Sequence, residues 1–298
     1  MSSFRVDPPN QQRTADKSSK TFCIIGDPVE HSLSPLMHNA AFNYLTLNYS
    51  YIGFKVKVNE LKDSVESLRN IKIAGFNVTI PHKVEIIKYV DKLSEEASLA
   101  GAVNTVKNED GVLVGYNTDI YGIMVPVEER ISNFDGIDIL ILGAGGSSRA
   151  ALVGLSSKKG IKSVFVVNRD QQKLSKVINL GSSLGLNCIP LEYSDDQTLS
   201  QIASHCKLII NTTSVGLRNE KSLLKSELMG KESIVFDIIY KPILTDFLKC
   251  AKIAKAKVIF GYEMLLNQGC KSFEIWTGLS APKDIMRNSL LGIFGVPK

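Results

Sequence analysis

The sequence is poor in the features that mark several large functional classes. It has four histidines, His31, His38, His82 and His205, with no paired metal-ligand spacing, so no metal site is expected. Its five cysteines, Cys23, Cys188, Cys206, Cys250 and Cys270, include no C-x-x-C spacing and read as small buried hydrophobes in a reducing compartment. No apolar stretch reaches the roughly 18 to 20 residues needed to cross a bilayer, and the first residues lack a secretory apolar core. A cytoplasmic protein with no membrane attachment is therefore expected. The net charge of +5 is mild and not gathered into basic blocks with interleaved aromatics. That argues for a small anionic ligand and against nucleic acid.

What is present fits a soluble globular chain. With 298 residues, 44% of them hydrophobic and 22% charged, it has material for one large or two ordinary cores. Residues 1–20 are polar, with Pro8-Pro9 and Gln11-Gln12, and read as an arm; a short organellar presequence is the lesser alternative. The strongest local signal is an apolar run from Ile137 to Leu142 delivered into Gly143-Ala144-Gly145-Gly146-Ser147-Ser148-Arg149 and then a helix-forming segment. Glycines there let the backbone turn tightly and approach a pyrophosphate, while the next helix begins with free N–H groups. A second apolar run, Ser163 to Val167, completes a βαβ unit. It ends in Asn168-Arg169, with Lys173 one helical turn on, and cations at that place suit the 2′-phosphate of NADP. Asp170 beside them is expected to neutralise Arg169 in part.

Upstream, strand-like runs at 21–25, 49–56 and 73–78 alternate with helical patterns at 35–47, 59–69 and 81–90, which implies a mainly parallel sheet covered by helices. A hairpin is expected to turn at Asn108-Glu109-Asp110-Gly111. Helical segments 262–277 and 282–294 have no strand between them and are expected to fold back across the first unit.

Three polar segments sit at or just beyond strand ends, where open α/β sheets hold ligands. In Asn77 to Lys83, Pro81 is expected at the start of a helix, which puts Lys83 in the first turn. A lysine there faces the positive end of the macrodipole, so either it has a chemical task or its stem reaches water. In Gly115 to Gly122, Asp119 opens a helix, as a first-turn carboxylate or as a functional one. In Gly26 to Asn39, Ser34 is expected to cap a helix with Pro35 at its first position, leaving Ser32 as a turn hydroxyl.

Taken together these segments resemble the shikimate dehydrogenase family. The likeness rests on His31 to Pro35, Asn77 to Lys83, Ala100 to Thr105, Gly115 to Gly122, Gly143 to Arg149, Asn168-Arg169, Asn211 to Ser214, Asp237 to Pro242 and Gly261 to Gln268, in that order. Ser148 belongs to the Gly-Ala-Gly-Gly-x-Ser-Arg form of the glycine loop in that family. The resemblance implies an α/β fold with a substrate-binding part (21–119 and 262–298) and a Rossmann-like NADP-binding part (120–261). It implies reversible reduction of 3-dehydroshikimate to shikimate with NADPH. By matching position, Lys83 exchanges the proton and Asp119 supports it. Ser32, Ser34 and Tyr240 bind the substrate carboxylate, and Thr79, Asn104, Asp119 and Gln268 bind its ring hydroxyls. Gly143, Ala144, Gly145, Gly146, Ser147, Asn168, Arg169, Lys173 and Gly261 hold the cofactor. The partner is then a small molecule, and the protein a monomer or homodimer. Two other readings stay open: a quinate or dual-specificity enzyme using NAD, and a non-catalytic NADP-binding sensor, which has no need of both Lys83 and Asp119.

Overall fold

In the computed structural model, which describes residues 18–193 and 196–295, the chain builds two six-stranded sheets. The expected polar arm, up to residue 17, and residues 296–298 lie outside the described residues.

The first sheet contains β1 (Lys20–Gly26), β2 (Tyr49–Lys55), β3 (Gly75–Val78), β4 (Lys92–Leu93), β5 (Thr105–Glu109) and β6 (Val112–Tyr116), in the order β2-β1-β3-β5-β6-β4. β1 is apolar on both faces because both are covered. Cys23 and Ile25 enter a core with Val65, Leu68 and Phe76, while Phe22 and Ile24 enter another with Met37 and Phe42. Helices α1 (Ser34–Tyr44), α2 (Leu61–Asn70), α3 (Glu95–Ala100) and α4 (Asp119–Glu128) lie between and after these strands. Leu61, Val65 and Leu68 give α2 one buried stripe. β5 and β6 form the expected antiparallel hairpin, with Asp110 and Gly111 both at positive φ, as a two-residue turn of right-handed twist needs.

Residues 81–90 depart from expectation. Past Pro81 the chain makes turns and a short 3₁₀ segment, Glu85–Tyr89, in place of an α-helix. Two tertiary bonds compete with the helix. The Lys83 carbonyl accepts the Val103 N–H at 2.7 Å, and the His82 ring Nε2 bonds the Val56 carbonyl at 2.7 Å.

The second sheet is wholly parallel. It comprises β7 (Asp138–Leu142), β8 (Ser163–Val167), β9 (Cys188–Leu191), β10 (Leu208–Asn211), β11 (Ile234–Asp237) and β12 (Lys257–Ile259), ordered β12-β11-β10-β7-β8-β9. Helices α5 (Gly146–Ser156), α6 (Gln171–Ser183), α7 (Asp196–His205) and α8 (Asp246–Ile253) alternate with them. The strand order reverses between β7 and β10, which opens a crevice at their carboxyl ends.

Two final helices, α9 (Gly261–Thr277) and α10 (Lys283–Ile293), return to the first sheet. Leu266, Phe273, Trp276, Met286 and Leu290 share a core with Phe22 and Phe42. The Trp276 and Phe22 rings are 5.0 Å apart, and the indole N–H donates to the Val106 carbonyl at 2.9 Å. Met264, near the start of α9, instead enters the core of the second sheet.

Candidate active site

Asp119 is the first residue of α4, where the helix dipole favours a negative charge. Its two oxygens are engaged differently. Oδ2 accepts from Lys83 Nζ at 2.6 Å and Oδ1 from Asn104 Nδ2 at 2.8 Å. The lysine and aspartate side chains are 18% and 4% exposed, so the ion pair is largely withdrawn from water. Lys83 thus owes its setting to this carboxylate; without a helix at 81–90, the expected first-turn position does not exist.

Behind the pair runs a buried polar network. The Asn104 amide is oriented at both ends, since its Oδ1 accepts the Thr118 N–H at 2.7 Å. The hydroxyls of Thr105, Thr118 and Ser272 form a triangle with sides of 2.8, 3.0 and 3.1 Å. Asn77 Nδ2 donates to Thr105 and Ser272, and Asn77 Oδ1 accepts the Tyr51 hydroxyl at 2.6 Å. Gln268 joins from α9: its Oε1 accepts from Asn104 at 3.4 Å, and its carbonyl accepts the Ser272 hydroxyl. Nothing in the sequence alone marks Tyr51, Asn77, Thr105, Thr118 or Ser272 for a role. Asn77, Thr105 and Thr118 lay inside segments already singled out. Ser272 had only its spacing, one turn beyond Gln268.

The network ends in a second cluster. Ser34 is buried against the Tyr51 hydroxyl, and Tyr240 faces Ser32 and the Leu33 backbone. Burial raises both tyrosines, so they are hydroxyl donors at neutral pH. Ser34 is the first residue of α1 and makes no capping bond, contrary to expectation. Instead Ser32 Oγ accepts the Ser34 N–H at 3.3 Å, so the turn hydroxyl is the one that supports the helix entrance. Thr79 directly follows β3, its N–H fixed on the Ile25 carbonyl at 2.9 Å. His38 lies beneath, stacked on Tyr51 at 4.6 Å, and burial lowers its pKa to about 3, so it is neutral.

At the β7 crevice, Gly143 has φ of 113° and a side chain there would meet Thr212 Oγ1 at 2.6 Å, so only glycine serves. A Cβ on Gly145 would find nothing within 4 Å, and one on Gly146 would come nearest to the Lys83 stem, at 3.4 Å. Ser148 closes the loop by accepting the Gly145 N–H and bonding the Thr212 hydroxyl at 2.7 Å. Ala144 is buried in the loop, and Ser147 follows in the first turn of α5. An open glycine surface before free helix N–H groups fits the phosphates of a dinucleotide.

Asp170 differs from expectation. It is the N-cap of α6, with Oδ1 accepting the Lys173 N–H at 3.0 Å and Oδ2 3.5 Å from Lys173 Nζ. These bonds, the backbone one foremost, hold its carboxyl below the usual range. Lys173 is therefore the cation that Asp170 engages. The Arg169 guanidinium lies over the Tyr193 ring, 5.8 Å from its centre, and Asn168 Nδ2 donates to the Asp170 carbonyl. Gly261 has a packing reason of its own: a Cβ there would stand 2.3 Å from the Ile239 carbonyl oxygen.

Among the described residues no group of three or more His, Cys, Asp or Glu is placed to hold a metal ion, and no helix is long and apolar enough to cross a membrane. Two family models match, the shikimate dehydrogenase substrate binding domain over residues 24–106 and the shikimate 5′-dehydrogenase C-terminal domain over 261–291. A shikimate dehydrogenase (NADP(+)) of Nitrosopumilus maritimus is 45% identical over 278 residues, covering 92% of this chain and 99% of the relative. Among solved structures, a shikimate dehydrogenase in complex with NADP+ superposes with a TM-score of 0.84 at 37% identity, covering 94% and 96% of the two chains. The Thermus thermophilus enzyme in complex with NADP(H) and shikimate gives 0.80 at 34% identity, covering 92% and 99%.

Proposed function

The chain belongs to the shikimate dehydrogenase family, and from that membership we infer that it is an NADP-dependent oxidoreductase interconverting 3-dehydroshikimate and shikimate at a CH–OH group. The observation that carries the reading is the withdrawn Lys83–Asp119 ion pair, set between the open glycine loop and the polar cluster of Ser32, Ser34 and Tyr240. NADP(H), when bound, supplies the hydride acceptor or donor. Lys83 Nζ gives its proton to the carbonyl oxygen during reduction and takes it back from the hydroxyl during oxidation. Asp119 keeps the ammonium in place and balances its charge whenever Lys83 holds the proton. Ser32, Ser34 and Tyr240 hold the substrate carboxylate, and Thr79, Asn104, Asp119 and Gln268 meet the ring hydroxyls, so that one face of the ring is presented to the cofactor.

Gly143, Ala144, Gly145, Gly146 and Ser147 line the pyrophosphate, and Asn168 and Arg169 the adenosine end. Gly261 is placed with the cofactor part on the family likeness. The same reading divides the chain into a substrate part, 21–119 with 262–298, and a cofactor part, 120–261, in a cytoplasmic monomer or homodimer. Steady-state rates with shikimate and quinate, each against NADP and NAD, test it. Turnover of shikimate with NADP is expected; activity confined to quinate with NAD, or none, would sink it. The sensor reading loses ground because a binding protein has no use for the proton-exchanging pair.

A further inference from the structure

Arg149 is the fourth residue of α5, between β7 and β8 of the second sheet, yet its side chain ends on a segment of the first. It is half-buried, and burial alone holds the guanidinium below the usual arginine range, with no acidic neighbour to offset the loss of water. Among the described residues its one hydrogen bond runs from Nη1 to the Ala100 carbonyl at 3.4 Å, and no carboxylate pairs with it. A cation withdrawn from water without a counter-charge costs stability. The place it occupies gives that cost a use.

Ala100 is the last residue of α3 and fully buried, so its carbonyl has no partner in the helix and no access to water. The chain turns away there at Gly101, with φ of 57°, and the N–H groups of Gly101 and Ala102 fold back onto the carbonyls of Ser98 and Ala97. Arg149 is left as the donor for Ala100. A Cβ on Gly101 would stand 3.2 Å from Nη1, so the guanidinium fills the seam closely. The residues that follow are fastened to the proposed reaction groups. The Ala102 carbonyl accepts the Asn117 amide at 2.9 Å, the Val103 N–H donates to the Lys83 carbonyl at 2.7 Å, and the Asn104 amide donates to Asp119 at 2.8 Å. One short segment thus meets Arg149 at its first residue and both members of the ion pair at its last two.

We propose that Arg149 is a positioning residue for hydride transfer: from the helix that begins at the glycine loop it holds Ala100–Asn104, and through Val103 and Asn104 the Lys83–Asp119 pair, in register with the bound cofactor. The inference rests on the oxidoreductase reading above and adds to it a residue that touches neither substrate nor cofactor. At 3.4 Å the bond itself is weak; the guanidinium acts by occupying the seam and by keeping its charge at the carbonyl end of α3, where the helix dipole is negative. Without it the two sheets would meet across that seam with a buried carbonyl unpaired, and a small shift there is passed to the reacting atoms.

The test compares the wild-type protein with Arg149→Met, which keeps the packing of the stem but loses charge and donor, and Arg149→Lys, which restores a charge and a donor. Rates are read well below each variant's melting temperature, with shikimate carrying hydrogen or deuterium at the carbon that gives up the hydride. Arg149→Met is expected to lower kcat for shikimate oxidation by about ten- to a hundredfold, with KM for shikimate and for NADP each within about threefold. The deuterium isotope effect on kcat should be as large as in the wild type or larger, since hydride transfer is the step that slows, and Arg149→Lys should recover part of the rate. Kcat within about twofold of wild type in a folded Arg149→Met protein would overturn the assignment. So would a loss that appears in KM for NADP, the mark of a cofactor ligand, or an isotope effect that collapses to unity. Should Arg149→Met not fold, Arg149→Lys decides alone: a fall in kcat of about threefold or more with both KM values held supports the assignment, and an unchanged kcat overturns it. Absence of shikimate turnover with NADP in the wild-type protein would instead overturn the reading beneath, so the two failures are told apart.

Discussion

The Cβ and Cδ of Lys83 both lie 3.4 Å from the point where a side chain on Gly146 would begin. The lysine proposed to exchange the proton and the first residue of α5 therefore share a wall, although one follows a strand of the first sheet and the other a strand of the second. Gly146→Ala should separate stability from activity. Alanine is the better helix former by up to about 1 kcal/mol, so the melting temperature should hold or rise. The methyl group nevertheless stands in van der Waals contact with the lysine stem and narrows the arc through which it can swing, and kcat for shikimate oxidation should fall about tenfold, because small losses of alignment at a reacting centre are costly. Full activity in that variant would mean that the contact has no bearing on catalysis.

Lys83→Ala should lower kcat by roughly 10² to 10⁴, the usual worth of a positioned acid-base group. NADP affinity should be little changed, while stability falls because Asp119 is left buried without its partner, so rates are to be read well below the variant's melting temperature; Lys83→Met separates the charge from the packing of the stem. Retention of kcat within a few-fold would remove the lysine from the mechanism. Asp119→Asn should also slow turnover, with an added rise in KM for shikimate if the carboxylate meets a substrate hydroxyl as proposed.

Ser272 is buried and in contact with three side chains of the network, yet it is not itself proposed to touch substrate, so its influence has to pass through Thr105 and Thr118 to Asn104 and through Gln268, whose carbonyl accepts its hydroxyl. Ser272→Ala should cost about 1 to 3 kcal/mol in stability, the penalty for leaving buried donors unpaired. It should lower kcat more than it raises KM for NADP, and Ser272→Thr should recover part of the loss. Stability lost with kcat intact would reduce the residue to a structural role.

Asp237, at the end of β11, accepts bonds from Asn211, the Ile239 N–H and the Thr245 hydroxyl, but burial still pushes its pKa up to about 6. In the unfolded chain the proton leaves near the ordinary carboxylate value of about 4, before the folded protein releases it. Stability should therefore fall as pH rises from about 4 to 6 and stay lower above that, with about 3 kcal/mol as an upper bound. Denaturant melts at pH 5 and 7.5 should show this difference in the wild-type protein and a smaller one in Asp237→Asn. An equal difference in both would assign it elsewhere.

Much of the architecture was legible because its signals are local and periodic: the apolar run of β7, the glycine loop, the Asn108–Gly111 turn and the stripe of α2. Lys83 and Asp119 were legible as polar residues beside strand ends. What could not be read depends on partners far along the chain. The helix expected from Pro81 onward yields to a bond between the Lys83 carbonyl and Val103. β9 and β12 have four and three residues and stand at the two edges of their sheet, too short to carry a period. Ser34 and Asp170 each exchanged roles with a neighbour, since a cap is decided by backbone angles that residue type only biases. The hydroxyl triangle joins β5, the start of α4 and the middle of α9, and no local pattern announces it.

The return of α9 has a consequence for how the protein is made. Phe22 and Phe42 leave the ribosome more than 200 residues before the helices that complete their cover, with Phe273, Trp276 and Leu290. The core of the first sheet is thus incomplete until α9 and α10 have been made, and its aromatic face is covered by α1 alone through the translation of all of β7 to β12. A product stopped just before Gly261 would hold that face under α1 alone, with Phe22 and Phe42 open on the side that Phe273 and Trp276 fill.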